Sequence, residues 1–158
     1  MKQPKMLLMI LTFTLVIIVG DILLLRFMII PRLSPSPEMS QRFVACAKKD
    51  NCVSSTASAD SRYFVEAIDF DGNPQRAFKT LHTIIQEQGD SKSVLLEQNY
   101  ARFEVRSRIM GFIDDVEIRL DSSNKRIDIR SASRLGYSDF GVNRKRVERY
   151  RKLFAESF

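Results

Sequence analysis

The chain has 158 residues, a length typical of one globular domain, and 25 Lys and Arg against 19 Asp and Glu give a formal net charge of +6. This basic surplus is modest and interleaved with acidic residues, so nucleic acid is not expected as a partner. One histidine and two cysteines are too few ligands for a typical zinc centre, and no metal or cofactor is predicted.

The amino-terminal segment predicts a transmembrane signal anchor over residues 1–30. Met6 to Gly20 carries no charge, and the apolar run continues to Leu25 apart from Asp21. About 20 apolar residues are enough for a helix to cross a bilayer. The long apolar run and the bulky, charged exit Ile30-Pro31-Arg32-Leu33 differ from a cleavable signal peptide, so an uncleaved anchor is expected.

Two cysteines, Cys46 and Cys52, lie close together after this segment. With no other cysteine to pair with, they predict one short disulfide in an oxidising compartment. A pair of metal-binding thiols is the alternative, but it lacks further ligands because His82 is the only histidine. Lys2 and Lys5 before the apolar run nearly balance Arg26 and Arg32 after it, and the charge of the amino terminus favours an amino terminus inside. The cysteines favour the same orientation, so we expect a single-pass membrane protein with its soluble domain on the periplasmic or equivalent extracytoplasmic side.

A spacer rich in proline and serine is predicted over residues 31–42, between the anchor and a soluble domain over residues 43–158. Such spacers are extended and semi-rigid, so this one holds the domain away from the membrane. The residues from Gln41 to Thr56 follow as an irregular lead-in that the disulfide holds.

The soluble domain begins with a predicted strand from Arg62 to Phe70. A helix then starts at Asn73-Pro74, an N-cap followed by proline in the first turn, and Gly89 ends it. Two strands follow over Ser93 to Glu97 and Tyr100 to Ile109. Apolar and charged residues alternate in the second of them, which indicates one buried face and one solvated face.

The next two strands form a hairpin whose register follows from the residue pattern. If Ser122 to Lys125 form the turn, the facing pairs are Leu120 with Ile127, Ile118 with Ile129, Val116 with Ser131, Arg119 with Asp128 and Glu117 with Arg130. The apolar pairs then share one face and the opposite charges share the other. A slip of one residue would destroy both patterns, so the register is well specified.

A helix from Asn143 to Phe158 closes the domain, with Val147, Tyr150 and Leu153 on its apolar side. The order of elements is therefore strand, helix, four strands, helix. This order predicts an α+β domain of two layers, in which a mostly antiparallel sheet of about five strands carries the helices on one face.

The polar side of the predicted sheet is rich in arginine. Its members are Arg102, Glu104, Arg106, Arg108, Asp115, Glu117, Arg119, Arg126, Asp128, Arg130 and Arg134. A solvated face with weak ion pairs explains such a set. Arginine also suits bidentate binding of carboxylate or phosphate, so Arg130 and Arg134 are candidate residues for an anionic partner or a lipid headgroup.

An acidic cluster, Asp114, Asp115 and Glu117, lies on the first strand of the hairpin. Paired carboxylates can act as acid and base, or they can bind Mg²⁺ or Ca²⁺. Alternation places Asp115 and Glu117 on the arginine side, so ion pairing is the expected role and metal-assisted hydrolysis is the alternative. Asp114 points to the other face.

A polar run with two glycines joins the last strand to the closing helix. Within it, Ser138 and Asp139 have side chains that cap backbone amides, and Asn143 and Arg144 stand at the helix start, where an anion is favoured. These four are the candidate ligand-binding residues of the run. It contains no histidine or cysteine to activate a serine and no Gly-x-Ser-x-Gly elbow, so serine hydrolase chemistry is not indicated.

Four motifs occur in order along the soluble part. They are Asn51-Cys52-Val53-Ser54-Ser55, Gly111-Phe112-Ile113-Asp114-Asp115-Val116-Glu117, Arg130-Ser131-Ala132-Ser133-Arg134 and Ser138-Asp139-Phe140-Gly141-Val142-Asn143-Arg144-Lys145-Arg146. Together they resemble the uncharacterised family known as domain of unknown function 1499, from about Phe43 to Phe154. The family pattern usually has proline directly after the first cysteine and directly before Asn-Cys. This chain has Ala47 and Asp50 at those two positions. The resemblance implies a membrane-tethered or exported domain and brings no established activity, cofactor or catalytic residue.

These observations predict a membrane-anchored, non-enzymatic domain that binds a protein partner or an anionic ligand. The binding elements would be the Arg-rich sheet face and the loop of residues 138–146. One alternative is a metal-assisted hydrolase that uses Asp114, Asp115 and Glu117. Another is an accessory subunit of a membrane protein complex, held through the apolar helix and Asp21.

Overall fold

The computed structural model describes residues 3–25, 42–46, 49–108 and 110–158. The chain divides into two units, and helix α1, Gln3–Leu24, belongs to the first. Its stretch Lys5–Leu24 is long and apolar enough to cross a membrane. Residues 26–30 of the predicted anchor and residues 31–41 of the predicted spacer lie outside the described residues.

The second unit is an α+β domain built on one antiparallel sheet. Its strands are β1 Cys52–Ser54, β2 Ile68–Asp69, β3 Ser91–Leu96, β4 Tyr100–Arg106, β5 Ile113–Asp121 and β6 Arg126–Ser133. They lie in the order β1-β6-β5-β4-β3, and β2 also pairs with β6. The predicted fold class is therefore confirmed.

Two helices, α2 Pro74–Gln86 and α3 Val142–Ser157, cover one face of the sheet, which we call the inner face. Asn73 caps α2 by accepting a hydrogen bond from the Arg76 amide. The core between helices and sheet is apolar, and its largest fully buried side chains include Leu81, Phe103 and Tyr150. Helical spacing on α2 and alternation on the strands place these residues on facing surfaces.

The predicted hairpin register is confirmed at every pair. Leu120 faces Ile127, Arg119 faces Asp128 and Glu117 faces Arg130 along the β5–β6 ladder. This register places Asp115 and Glu117 on the outer face, opposite the helices.

The predicted strand from Arg62 to Phe70 was too long, and the irregular lead-in hid a strand. β1 pairs with Arg130 to Ala132 of β6, and Ser55 directly after β1 bonds to the Ile129 backbone. On the same edge β2 pairs only with Arg126 and Ile127. Because β1 and β2 share one edge of β6, β2 is limited to two residues. The sharing of this edge cannot be predicted from the local residue pattern.

Two other predicted boundaries were also wrong. Helix α2 ends before Gly89, because the Glu87 amide bonds back to Thr83 while Glu87 itself stays right-handed. Strand β4 ends at Arg106, where Ser107 and Phe112 bond to each other and close the β4–β5 connection. Ile109, the predicted end of that strand, lies outside the described residues.

Candidate functional site

The outer face of the sheet carries an ion-pair layer, formed by Arg119, Arg130 and Arg134 with Glu104, Asp115, Glu117 and Asp128. Arg134 binds Asp115 with two hydrogen bonds of 2.8 Å and also donates to Glu104 at 2.6 Å. Arg130 donates to Glu117 at 2.9 Å. The two candidate binding arginines are therefore already held by carboxylates of the same sheet.

The centre of this outer layer is buried, whereas the sequence pattern predicted a solvated face. Glu117 accepts hydrogen bonds from the Tyr100 hydroxyl at 2.6 Å and from the Phe43 amide at 3.0 Å. Phe43 lies edge-on to Tyr100, and the Arg42 guanidinium stacks over the Tyr100 ring at 4.5 Å. Residues 42–46 thus cover Glu117, and the alternation of β5 gives no sign of this cover.

A disulfide between Cys46 and Cys52 holds the covering segment in place. Cys52 opens β1 and pairs with Ala132, so the bond joins the segment directly to the sheet. The predicted pairing is present in the structure, and its effect is to fix residues 42–46 beside the sheet.

Replacement of both cysteines by alanine is expected to lower the free energy of unfolding by about 2–4 kcal/mol, since the unfolded chain gains freedom. Hydrogen exchange of the Phe43 amide should become faster, because its acceptor Glu117 is no longer held near it. Ala45→Ser, at an exposed neighbouring position, is the control and should change neither quantity. An unchanged Phe43 exchange rate in the cysteine variant would show that the disulfide does not hold the segment.

Burial changes the acid–base behaviour of two groups in the outer layer. Desolvation raises the pKa of Tyr100, and its hydrogen bond to Glu117 raises that pKa further. Desolvation also raises the pKa of Asp115, while the hydrogen bonds from Arg134 oppose this rise. Tyr100 therefore stays a hydroxyl donor, and Asp115 depends on Arg134 for its charge.

The inner face carries a second polar group, the inner polar cluster, formed by Asn51, Asp114, Ser131, Ser133, Asn143 and Arg146. Arg146 of α3 donates to Asp114 at 2.6 Å and to Ser131 at 3.0 Å. Asn143 donates to Ser133 and to the backbone carbonyl of Asn51, each at 3.0 Å. The candidate Asn143 is almost fully buried, and it joins α3 to the sheet.

The three residues of the acidic cluster do not share one site. Asp114 faces the helices and binds Arg146, whereas Asp115 and Glu117 face the other way and bind Arg134 and Arg130. Among the described residues, no group of three or more His, Cys, Asp or Glu side chains is placed to hold a metal ion.

Asp139 occupies the start of α3. Its carboxylate accepts from the Gly141 amide at 2.9 Å and from the Asn143 amide at 2.8 Å. The helix start therefore holds a carboxylate of the protein itself. Ser138 supports the same turn by accepting from the Phe140 amide at 3.3 Å.

Asp139→Ala is expected to lower the free energy of unfolding by about 1–2 kcal/mol, because the helix loses its capping acceptor. Asp139→Asn keeps one acceptor oxygen and should lose less. Chemical denaturation of both variants against the native chain measures the difference. Equal losses in the two variants would argue against capping as the role of this carboxylate.

Arg144 joins the start of α3 to the segment that precedes β2. Its guanidinium donates to the carbonyl oxygens of Phe64 at 2.8 Å and Arg62 at 2.6 Å. A cavity of about 140 Å³ lies beside it, lined by Asp50, Cys52, Val53, Arg62, Tyr63, Asp139, Gly141 and Arg144. The lining mixes both charges, and Arg62 pairs with Asp50 at 3.1 Å.

The connection from β6 to α3, with the first residue of α3, exposes four apolar side chains. We call residues 135–142 the aromatic loop, after Tyr137, which is 62% exposed, and Phe140, which is 91% exposed. Leu135 and Val142 are also exposed. The polar residues of this stretch predicted a polar surface, so the exposed apolar side chains were not predicted. The available signal was Phe140 itself, an aromatic ring between two turn-forming residues and outside any helical or strand period.

Asn51 supports the aromatic loop and was likewise missed as a site residue. Its side-chain amide donates to the carbonyl oxygens of Gly136 at 2.7 Å and Leu135 at 3.3 Å. The Asn51 side chain therefore holds the loop backbone by hydrogen bonds, while the apolar side chains of the loop are exposed to solvent.

Fold and site together define an α+β domain that follows an apolar helix, with two polar clusters bonded within the sheet domain and an exposed aromatic loop. The chain matches the family described as "Protein of unknown function (DUF1499)" over residues 42–154. This match covers more than half of the chain, so the protein belongs to that family. Comparisons with curated proteins and with solved structures find no match.

Proposed function

We propose that the protein is a membrane-anchored, non-enzymatic domain that binds a protein partner or an anionic ligand, with the aromatic loop and the start of α3 as its contact surface. The main support for this proposal is Phe140, which is 91% exposed. Burial of such a large apolar side chain would stabilise the fold, so its exposure needs another explanation. Exposed apolar patches on soluble domains mark interaction sites.

The Arg-rich face contributes to this contact surface by holding the aromatic loop in place. Arg134, the last residue before the aromatic loop, is held by Asp115 and Glu104, and its own side chain is almost fully buried. Arginines whose hydrogen bonds go to internal carboxylates have less to offer an external anion. Their contribution to binding is to hold the loop in one position.

The enzymatic alternative has less support from the geometry. Metal-assisted hydrolysis would need Asp114, Asp115 and Glu117 at one centre, and each of them binds a different arginine on two faces of the sheet. Breaking such buried pairs to admit a cation would cost several kcal/mol for each pair.

The disulfide supports an extracytoplasmic position for the domain, since disulfides persist in oxidising compartments. Helix α1 supplies the candidate anchor over Lys5–Leu24. Both features fit a single-pass protein with residues 43–158 on the periplasmic side, joined to the anchor by the spacer of residues 31–42.

A photo-crosslinking amino acid at position 140, in native membranes, tests the proposal. We expect crosslinked products, either protein or lipid, at position 140 and none at Leu96, a matched apolar residue that is 58% exposed on β3. A crosslink to one subunit of a membrane complex would favour the accessory-subunit alternative. Equal crosslinking at both positions, or none at position 140, would contradict the aromatic loop as the contact surface.

A further inference from the structure

The aromatic loop has no free charge of its own. Asp139 is its only charged residue, and the Asp139 carboxylate is taken up by the Gly141 and Asn143 amides. What the loop presents outward is therefore the side chains of Leu135, Tyr137, Phe140 and Val142.

Phe140 adopts a backbone conformation that L-residues with side chains rarely take. Its φ is 54°, in the left-handed region, and Gly141 follows at 78°. A glycine at position 140 would adopt this conformation without strain. The ring recovers little by packing within the domain, since it is 91% exposed, so a contact outside the domain accounts for it better.

Basic side chains stand beside the loop at the start of α3. Lys145 is exposed, one turn after Gly141. Arg144 bonds to two backbone carbonyls, which are uncharged acceptors, so its positive charge is not cancelled by these contacts. Aromatic rings next to basic groups are the composition of segments that lie in a membrane interface, where anionic headgroups attract the cations.

The chain also brings the domain to a bilayer. Residues 25–41 connect the candidate span to Arg42, and such a segment reaches at most roughly 60 Å when fully extended. A tethered surface meets its binding site at high effective concentration, so individually weak contacts suffice. The tether thus limits how far the domain can move from the bilayer that α1 spans.

We propose that the aromatic loop docks on the anionic lipid surface of the bilayer that α1 spans. Tyr137 and Phe140 enter the boundary between headgroups and acyl chains, and Lys145 and Arg144 lie beside anionic headgroups. This assignment rests on the proposed function, because it specifies the ligand of the same contact surface.

The absence of tryptophan from the chain allows a direct test. Phe140→Trp places a single tryptophan in the loop, and Leu96→Trp places one at an exposed apolar site on the edge strand β3. Both full-length variants are reconstituted in nanodiscs of phosphatidylcholine with or without phosphatidylglycerol. Lipids brominated along the acyl chain quench a tryptophan that enters the membrane.

In the anionic nanodiscs, emission from Phe140→Trp should shift to shorter wavelength and be quenched, while emission from Leu96→Trp should do neither. Adding Lys145→Glu to Phe140→Trp removes one cation and introduces an anion, so the ratio of docked to undocked domain should fall by roughly fivefold or more. Circular dichroism confirms that each variant is folded.

Absence of quenching at position 140 would overturn the proposal, and so would equal quenching at positions 140 and 96. Equal quenching in neutral and anionic nanodiscs would overturn the assignment to anionic lipid. If the tryptophan stays in water while the crosslinker at position 140 captures a protein, the lipid assignment fails and the proposed binding function survives. If neither probe reports a contact, both fail.

Discussion

Arg146→Met is expected to lower the free energy of unfolding by about 3–5 kcal/mol. The substitution leaves the buried Asp114 carboxylate without its partner. It also removes the hydrogen bonds that Arg146 donates to Ser131 and Asn143. Chemical denaturation of the detergent-solubilised full chain, followed by circular dichroism, measures the loss.

Two companion variants separate the ion pair from the helix. Lys152→Met changes an exposed cation on the same helix and should alter stability by less than about 0.5 kcal/mol. Asp114→Leu combined with Arg146→Met removes both charges, so it should be less destabilised than Arg146→Met alone. The loss in the double variant is compared with the summed losses of Asp114→Leu and Arg146→Met measured singly. If the two are equal, the ion pair itself is not the cause of the instability.

Arg134→Ala is expected to lower the free energy of unfolding by a similar amount, about 3–5 kcal/mol near neutral pH. Asp115 is buried and would lose both hydrogen bonds from Arg134. Burial already raises the pKa of Asp115, and Arg134 is the group that opposes the rise. In the variant the pKa of Asp115 therefore rises further.

The sign of the pH dependence follows from that rise. A carboxyl whose pKa is higher in the folded state is neutral at a pH where its unfolded counterpart is already charged, so stability falls as pH increases through this window. The deficit of Arg134→Ala should accordingly be largest at neutral pH and shrink on acidification toward the ordinary aspartate pKa of about 4.

Arg126→Ala is the matched control for this prediction. Arg126 lies on the same face, but its side chain is exposed and its carboxylate contacts are longer, at 3.6 Å and 3.7 Å. Exposed pairs contribute at most about 1 kcal/mol, so the control should show a small loss with little dependence on pH. A deficit of Arg134→Ala that does not change with pH would rule out Asp115 as its source.

The two polar clusters differ in how well the sequence predicted them. The ladder that joins Glu117 to Arg130 follows from alternation on two adjacent strands, and it is present as predicted. The Arg146–Asp114 contact joins a helix to the inner face of the sheet and was not predicted. Charge on an otherwise apolar helix face was its only local sign.

The structure also places the candidate binding residues in contacts that the sequence did not predict. Asp139 and Asn143 were expected near an external anion, and both are engaged within the domain. Asp139 caps α3, and Asn143 bonds to the backbone of Asn51, a residue 92 positions away. Their role as ligand-binding residues stays a prediction, and the exposed aromatic loop between β6 and α3 now carries the stronger proposal.

The sequence by itself determined the apolar helix, the order of the main elements, the β5–β6 register and the family. Each of these depends on neighbours along the chain or on periodic spacing, which local residue types encode. Only the tertiary structure decided which charges are buried and which apolar side chains are left in solvent. Burial depends on segments that meet from far apart, as Phe43 meets Glu117 across 74 residues, and no periodicity in either segment reports that meeting.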